Sequence, residues 1–96
     1  MNTEEVENKV PILTYHSIDN SGSVISTSPE KFRSQMQYLS VSSCNVISLE
    51  KIVSCIRENR SFPPRSLAIT FDDGFKNNYD IAYPVLKEYG FSAIIF

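Results

Sequence analysis

Apolar positions along this chain fall into short continuous runs that alternate with segments of helical spacing. Val10 to Tyr15 is an apolar run that predicts a strand, and the polar stretch from Ser17 to Thr27, with Asn20-Ser21-Gly22-Ser23 inside it, predicts a loop. A helix is expected over Ser28–Leu39. Thr27 or Ser28 can cap it, Pro29 suits its first turn, Thr27 and Glu30 stand at capping-box spacing, and Phe32, Met36 and Leu39 recur on one face as core residues. Val46-Ile47 predicts a brief strand. Ser48 can then cap a second helix in which Leu49, Ile52, Val53 and Ile56 keep helical spacing up to about Glu58. Ser61 to Arg65, with Pro63-Pro64, interrupts regular structure before a strand over Leu67–Phe71. Asn77 or Asn78 can cap a third helix running to Tyr89, in which Pro84 either kinks the helix or starts a second piece. Gly90 is its stop, and Phe91 to Phe96 reads as a final buried strand.

Strands alternating with helices predict an α/β protein with parallel strands joined by right-handed crossovers. The chain has 96 residues, well short of the roughly 200 or more that close a (β/α) barrel. It is therefore expected to be one incomplete domain over residues 10–96, truncated after the strand at 91–96, behind a disordered leader at residues 1–9. A fragment or a truncated gene product is the expected origin. The naked last strand predicts an aggregation-prone edge.

The chemistry concentrates in Leu67 to Phe75, where an apolar run stops on Asp72, Asp73 and Gly74. Parallel strands deliver functional groups at their carboxyl ends, so both acids are expected at the rim of the sheet. Adjacent carboxylates repel and favour a cation or a shared proton between them. Leaving the strand in different directions, one can bind an ion while the other faces a water. The same three residues would also serve as a polar turn leading into the next helix. His16, the only histidine, ends the first apolar run as Asp72 ends the later one. If those strands are parallel members of one sheet, the two residues share a face. His16 is thus a second candidate, with a half-buried histidine bonded to nearby backbone as the structural reading. Asp19 and Asp80 are read as solvated or capping residues.

Composition narrows the classes. The chain is 42% hydrophobic and 21% charged with a formal net charge of −2, which gives no electrostatic basis for nucleic-acid binding. Met1 to Lys9 has neither a secretory pattern nor an apolar span. Cys44 and Cys55 fit neither a zinc ribbon nor a disulfide framework and are read as small apolar residues.

The Thr70-Phe71-Asp72-Asp73-Gly74 segment, together with Pro11 to Asp19, Ser28 to Leu39, Val46 to Leu49 and the run Asn77-Asn78-Tyr79 through Tyr89-Gly90-Phe91, resembles the polysaccharide deacetylase family, the carbohydrate esterases with a NodB-type homology domain. The resemblance covers nearly all of the chain after its first ten residues. It implies the N-terminal portion of a distorted (β/α) barrel and the hydrolytic removal of acetyl groups from a carbohydrate polymer. It further implies one divalent metal ion, zinc first and nickel or cobalt as alternatives. On that pattern Asp72 is the general base acting on a water, Asp73 ligates the metal, and His16 stands near it to protonate the leaving amine or steady the oxyanion. The family completes its metal site with a later His-x-x-x-His pair, which this chain lacks. Weak or absent metal binding and little activity are therefore expected of these 96 residues alone. The implied partner is an acetylated polysaccharide or oligosaccharide. Oligomeric state is open, and so is compartment, since family members often act outside the cytoplasm and no export signal is visible.

Other classes fit less well. Receiver domains carry their acidic pair near the chain start, and haloacid-dehalogenase phosphatases separate the two aspartates by one residue, whereas Asp72 and Asp73 are adjacent and late in the chain. A degenerate carbohydrate-binding or assembly module is the non-catalytic alternative.

Overall fold

The computed structural model describes residues 10–96, so the leader expected over residues 1–9 lies outside the described residues. In chain order the elements are β1 (Ile12–Tyr15), β2 (Ser17–Ile18), β3 (Ser26–Thr27), α1 (Pro29–Val41), β4 (Asn45–Val46), α2 (Leu49–Arg57), β5 (Ser66–Phe71), a π-helical segment (Asn78–Ala82), α3 (Tyr83–Tyr89) and β6 (Ile94–Ile95). This is the expected α/β alternation. β5 is the centre of a four-stranded parallel sheet. β1 lies along one edge of it, with Ile12 opposite Ala68 and Tyr15 opposite Phe71. On its other edge β4 meets Ser66-Leu67 and β6 meets Thr70-Phe71. Hydrogen-bonded on both edges, β5 buries Ala68, Ile69, Thr70 and Phe71 in succession, as an interior parallel strand does.

α1 covers this sheet with the three residues its spacing predicts, since Phe32, Met36 and Leu39 are all buried. They join Tyr15, Ile18, Ile69, Phe71, Ala82, Val85 and Leu86 in one core. Removing a side chain such as Phe32 from water contributes about 1.5–3 kcal/mol. An exposed ion pair, Arg33 Nη1 to Glu88 Oε1 at 2.8 Å, links α1 to α3. Hydrogen bonding to Glu88 raises the Arg33 pKa, but at this exposure the pair adds little stability.

Several details differ from the sequence expectation. The cap of α1 is Ser28, whose Oγ accepts from Lys31 N at 3.1 Å; the third residue after the cap is therefore lysine, and the capping box with Glu30 does not form. Ser28→Ala is expected to cost about 1 kcal/mol in urea unfolding. Ser48 caps α2 in the same way, through Lys51 N. The periodic apolar side of α2 is not core, for Leu49, Val53 and Ile56 are exposed and Cys55 is the residue this helix buries. The loop expected over Ser17–Thr27 contains a short parallel ladder, Ser17 with Ser26 and Ile18 with Thr27. The final strand shrinks from 91–96 to Ile94-Ile95. β5 ends at Phe71, whose carbonyl accepts from Phe96 N, so among the described residues the pairing of the last strand stops there.

Pro84 starts a second helical piece, one of the two roles expected of it, for it stands in the first turn of α3 directly after the π-helical segment. Proline lacks an N–H and crowds the carbonyl four residues earlier. The turn before it widens, with Tyr83 N bonding to Asn78 O five residues back, and this π segment leads directly into α3. Gly90 ends α3 in the left-handed conformation, φ +70°, as expected.

Candidate active site

The site lies at the carboxyl ends of β1 and β5. Register sets Tyr15 against Phe71, so the next residues, His16 and Asp72, leave the sheet side by side. His16 Nε2 stands 3.6 Å from Asp72 Oδ2, and both side chains are about two-fifths exposed, at 39% and 42%. Two candidates from opposite ends of the sequence are thereby brought together on one rim. Asp72 N still donates to Tyr15 O at 2.9 Å, which holds the start of the acidic turn to β1.

Asp73 takes the other direction. Its φ is +74° and that of Gly74 is +57°, so two consecutive left-handed residues turn the chain sharply and leave the Asp73 carboxylate exposed beside the rim. Aspartate tolerates this region better than most residues, at a cost that glycine avoids. Asp73→Gly is expected to raise the unfolding free energy by about 0.5–1 kcal/mol while removing a carboxylate from the site. A stability loss in urea unfolding would show that the side chain anchors the turn.

Beneath the rim lies an aromatic floor. Tyr15 meets Phe32 edge-on, with centroids 5.0 Å apart, and stacks on Phe71 at 5.5 Å. The Tyr15 hydroxyl donates to Gln35 Oε1. Burial pushes the Tyr15 pKa up to about 12. The folded state therefore keeps this proton after the unfolded chain has lost it. The associated stability is fully present below pH 10 and falls by about 2 kcal/mol as pH rises to 12. Tyr15→Phe should flatten that alkaline loss in pH-dependent unfolding.

Asp19 has a structural role, as expected. It accepts from the Ser17 hydroxyl and from Ser21 N, and these bonds hold its pKa far below the usual carboxylate range. Asp80 pairs with Lys76 one helical turn away, at 3.5 Å. Asn77 and Asn78 do not cap the helix that follows the acidic turn. Asn78 Nδ2 donates to His16 O at 2.8 Å, while Asn77 accepts from Ile18 N at 3.0 Å and donates to Ser17 Oγ at 2.8 Å. Sequence reasoning missed this contact. The signal lay in two adjacent amides directly after the acidic turn, which read locally as caps.

Imidazole and carboxylate are suitable donors for a first-row divalent ion, but a tight site needs three or four of them in one cluster. Among the described residues no group of three His, Cys, Asp or Glu side chains stands close enough to hold a metal ion. The residues present do not make a complete metal centre. No helix among the described residues is long and apolar enough to cross a membrane.

Residues 59–96, which include β5, the acidic turn and β6, match the polysaccharide deacetylase family model. The chain belongs to the polysaccharide deacetylase family. It is 36% identical over 88 residues to YxkH of Bacillus subtilis, provisionally described as a polysaccharide deacetylase, covering 92% of this chain and 31% of that protein. It is 33% identical over 92 residues to the poly-beta-1,6-N-acetyl-D-glucosamine N-deacetylase of Staphylococcus epidermidis, covering 93% and 32%. The chain thus spans about a third of the length of these relatives. Family folds superpose on most of it. IcaB from Ammonifex degensii matches with a TM-score of 0.83 and 26% identity over 93% of this chain and 38% of that one. The Streptococcus pyogenes deacetylase PplD, in complex with acetate, gives 0.80 and 27% over 90% and 41%. The described residues are part of this family's α/β barrel.

Proposed function

We propose that this chain supplies the first part of the catalytic face of a carbohydrate deacetylase, an enzyme that hydrolyses an acetamide on a polysaccharide to a free amine and acetate. The observation that carries this reading is the meeting of His16 and Asp72 at 3.6 Å on the carboxyl rim of parallel strands, with Asp73 on the adjoining turn. Asp72, half exposed and facing an imidazole, is the general base toward a water. His16 is the group that returns a proton to the leaving nitrogen or steadies the developing oxyanion. Asp73 is one carboxylate ligand of a divalent ion, zinc or alternatively nickel or cobalt, whose other ligands this chain does not contain. Such an ion, when bound, polarises the acetyl carbonyl and makes water more acidic.

The substrate class is an acetylated polysaccharide or oligosaccharide. The name of the Staphylococcus epidermidis relative favours a poly-N-acetylglucosamine. The test is acetate release from an N-acetylglucosamine oligomer by a protein that joins this chain to the rest of such a domain. Activity there, with none from the 96 residues alone, is the expected result. Equilibrium dialysis of the 96-residue chain against zinc should show no tight stoichiometric binding. Tight binding would contradict the incomplete ligand set. A non-catalytic carbohydrate-binding module would instead bind the oligomer and release no acetate in the joined protein.

A further inference from the structure

We infer that Asn77 and Asn78 form a paired-amide clamp that sets the position of His16 against Asp72, making both of them positioning residues for the site; this rests on the reading of His16 and Asp72 given above. The need for a clamp follows from the strand ends. The last paired residues are Tyr15 and Phe71, and beyond them β5 turns away through the left-handed Asp73 and Gly74. The His16–Ile18 segment thus leaves the sheet with no strand beside it on the β5 side. On its other side the ladder already uses alternate amides, since Ser17 N bonds to Ile25 O and Asp19 N to Thr27 O. The carbonyl of His16 and the N–H of Ile18 remain to be satisfied in a region where Ser17 and Ile18 are buried. Buried backbone groups left unpaired are costly.

The two missing partners have opposite polarity, one a donor and one an acceptor. A short primary amide offers both on one stem, whereas aspartate accepts only and serine is too short to span the gap. Asn78 turns its Nδ2 to His16 O, and Asn77 turns its Oδ1 to Ile18 N and its Nδ2 to Ser17 Oγ. The orientation of Asn78 is unambiguous, because a flipped amide would set two carbonyl oxygens against each other. Asn78 accepts a cost for this. It is only 3% exposed, and its Oδ1 is a buried atom without a hydrogen-bond partner among the described residues. The amide is held here by its donor side, since an apolar residue of the same shape would spare the unpaired Oδ1 but leave the His16 carbonyl without its partner. The clamp lies five and six residues after Asp72, so one short segment carries the acid and the grip on its partner. The separation of His16 from Asp72 is then set within a single local unit.

The test needs neither metal nor turnover. His16 is the only histidine, so its ring protons give isolated NMR signals. At fixed pH, Asp72→Asn should displace those signals in the parent chain. The displacement should fall by more than half in an Asn78→Leu background and in an Asn77→Ala background, with the amides of Thr70 and Phe71 still protected from exchange. An equal displacement in all backgrounds, with that protection intact, would overturn the clamp and leave the site reading standing. Should Asn78→Leu lose the protection of the sheet, Asn77→Ala decides, because Asn77 is only half-buried and its loss releases Ile18, Ser17 and a 3.4 Å contact from Asn78 Nδ2 while leaving the bond from Asn78 to His16 O in place. An unprotected Ile18 amide with an unchanged displacement there overturns the proposal. No displacement in the parent chain would refute the pairing of His16 with Asp72 itself, and the inference with it.

Discussion

Asp72→Asn, in a protein that joins this chain to the rest of the domain, should lower kcat for acetate release by about 10²–10⁴-fold with KM nearly unchanged. Asparagine keeps the shape of the side chain and its place on the rim, so binding of a long polymer is little disturbed. It has no basic oxygen to take a proton from water, and its amide would present a donor or a weak acceptor to His16 Nε2, which now stands 3.6 Å from the carboxylate. The loss therefore falls on a step that occurs only in the transition state. Asp73→Asn provides the contrast. It should weaken metal affinity, and added metal should recover part of the activity, whereas no metal concentration restores Asp72→Asn. Retention of activity within tenfold by Asp72→Asn would remove Asp72 from the role of base.

Phe32→Ala should lower the unfolding free energy by about 3–5 kcal/mol, read from the urea midpoint by circular dichroism. Phe32 is fully buried and meets both Tyr15 and Phe71, with centroids at 5.0 and 5.9 Å. Truncation leaves a cavity under the two strand ends that carry the site, and neither strand can collapse into it while they remain paired. Small domains have about 5–15 kcal/mol in total, so the loss is a large fraction and the variant should be partly unfolded at moderate temperature. A loss near 1 kcal/mol would show that the aromatic cluster repacks and is not the support of the rim. Exposed Ile56 is the control. Its replacement by alanine should be close to neutral.

The local features that the sequence predicts well are those set by neighbours in the chain. Ser28 and Ser48 cap their helices because a short hydroxyl next to a helical run bonds an amide three residues on whatever surrounds it. Gly90 stops α3 because a residue without Cβ enters the left-handed region freely. The apolar run before Asp72 declares a buried parallel strand because polar side chains cannot occupy both of its faces. The exposed side of α2 shows the limit. Periodicity says that Leu49, Val53 and Ile56 share a face, and it carries no information about what covers that face.

The candidate site divides along the same line. That Asp72 and Asp73 end a strand, and that His16 ends another, is legible in residue order alone, as is the family resemblance those residues carry. Their arrangement is not. The distance between His16 and Asp72 depends on a register between strands more than fifty residues apart, and the direction of Asp73 depends on a left-handed turn that residue order does not announce. Asn77 and Asn78 read as helix caps because capping is the nearest use for a short amide. Packing instead places the unpaired carbonyl of His16 and the unpaired amide of Ile18 within their reach. Pattern along the chain thus determined which groups reach the rim. Long-range pairing alone decided which of them touch, because hydrogen-bond partners distant in sequence are chosen by the sheet that brings them together.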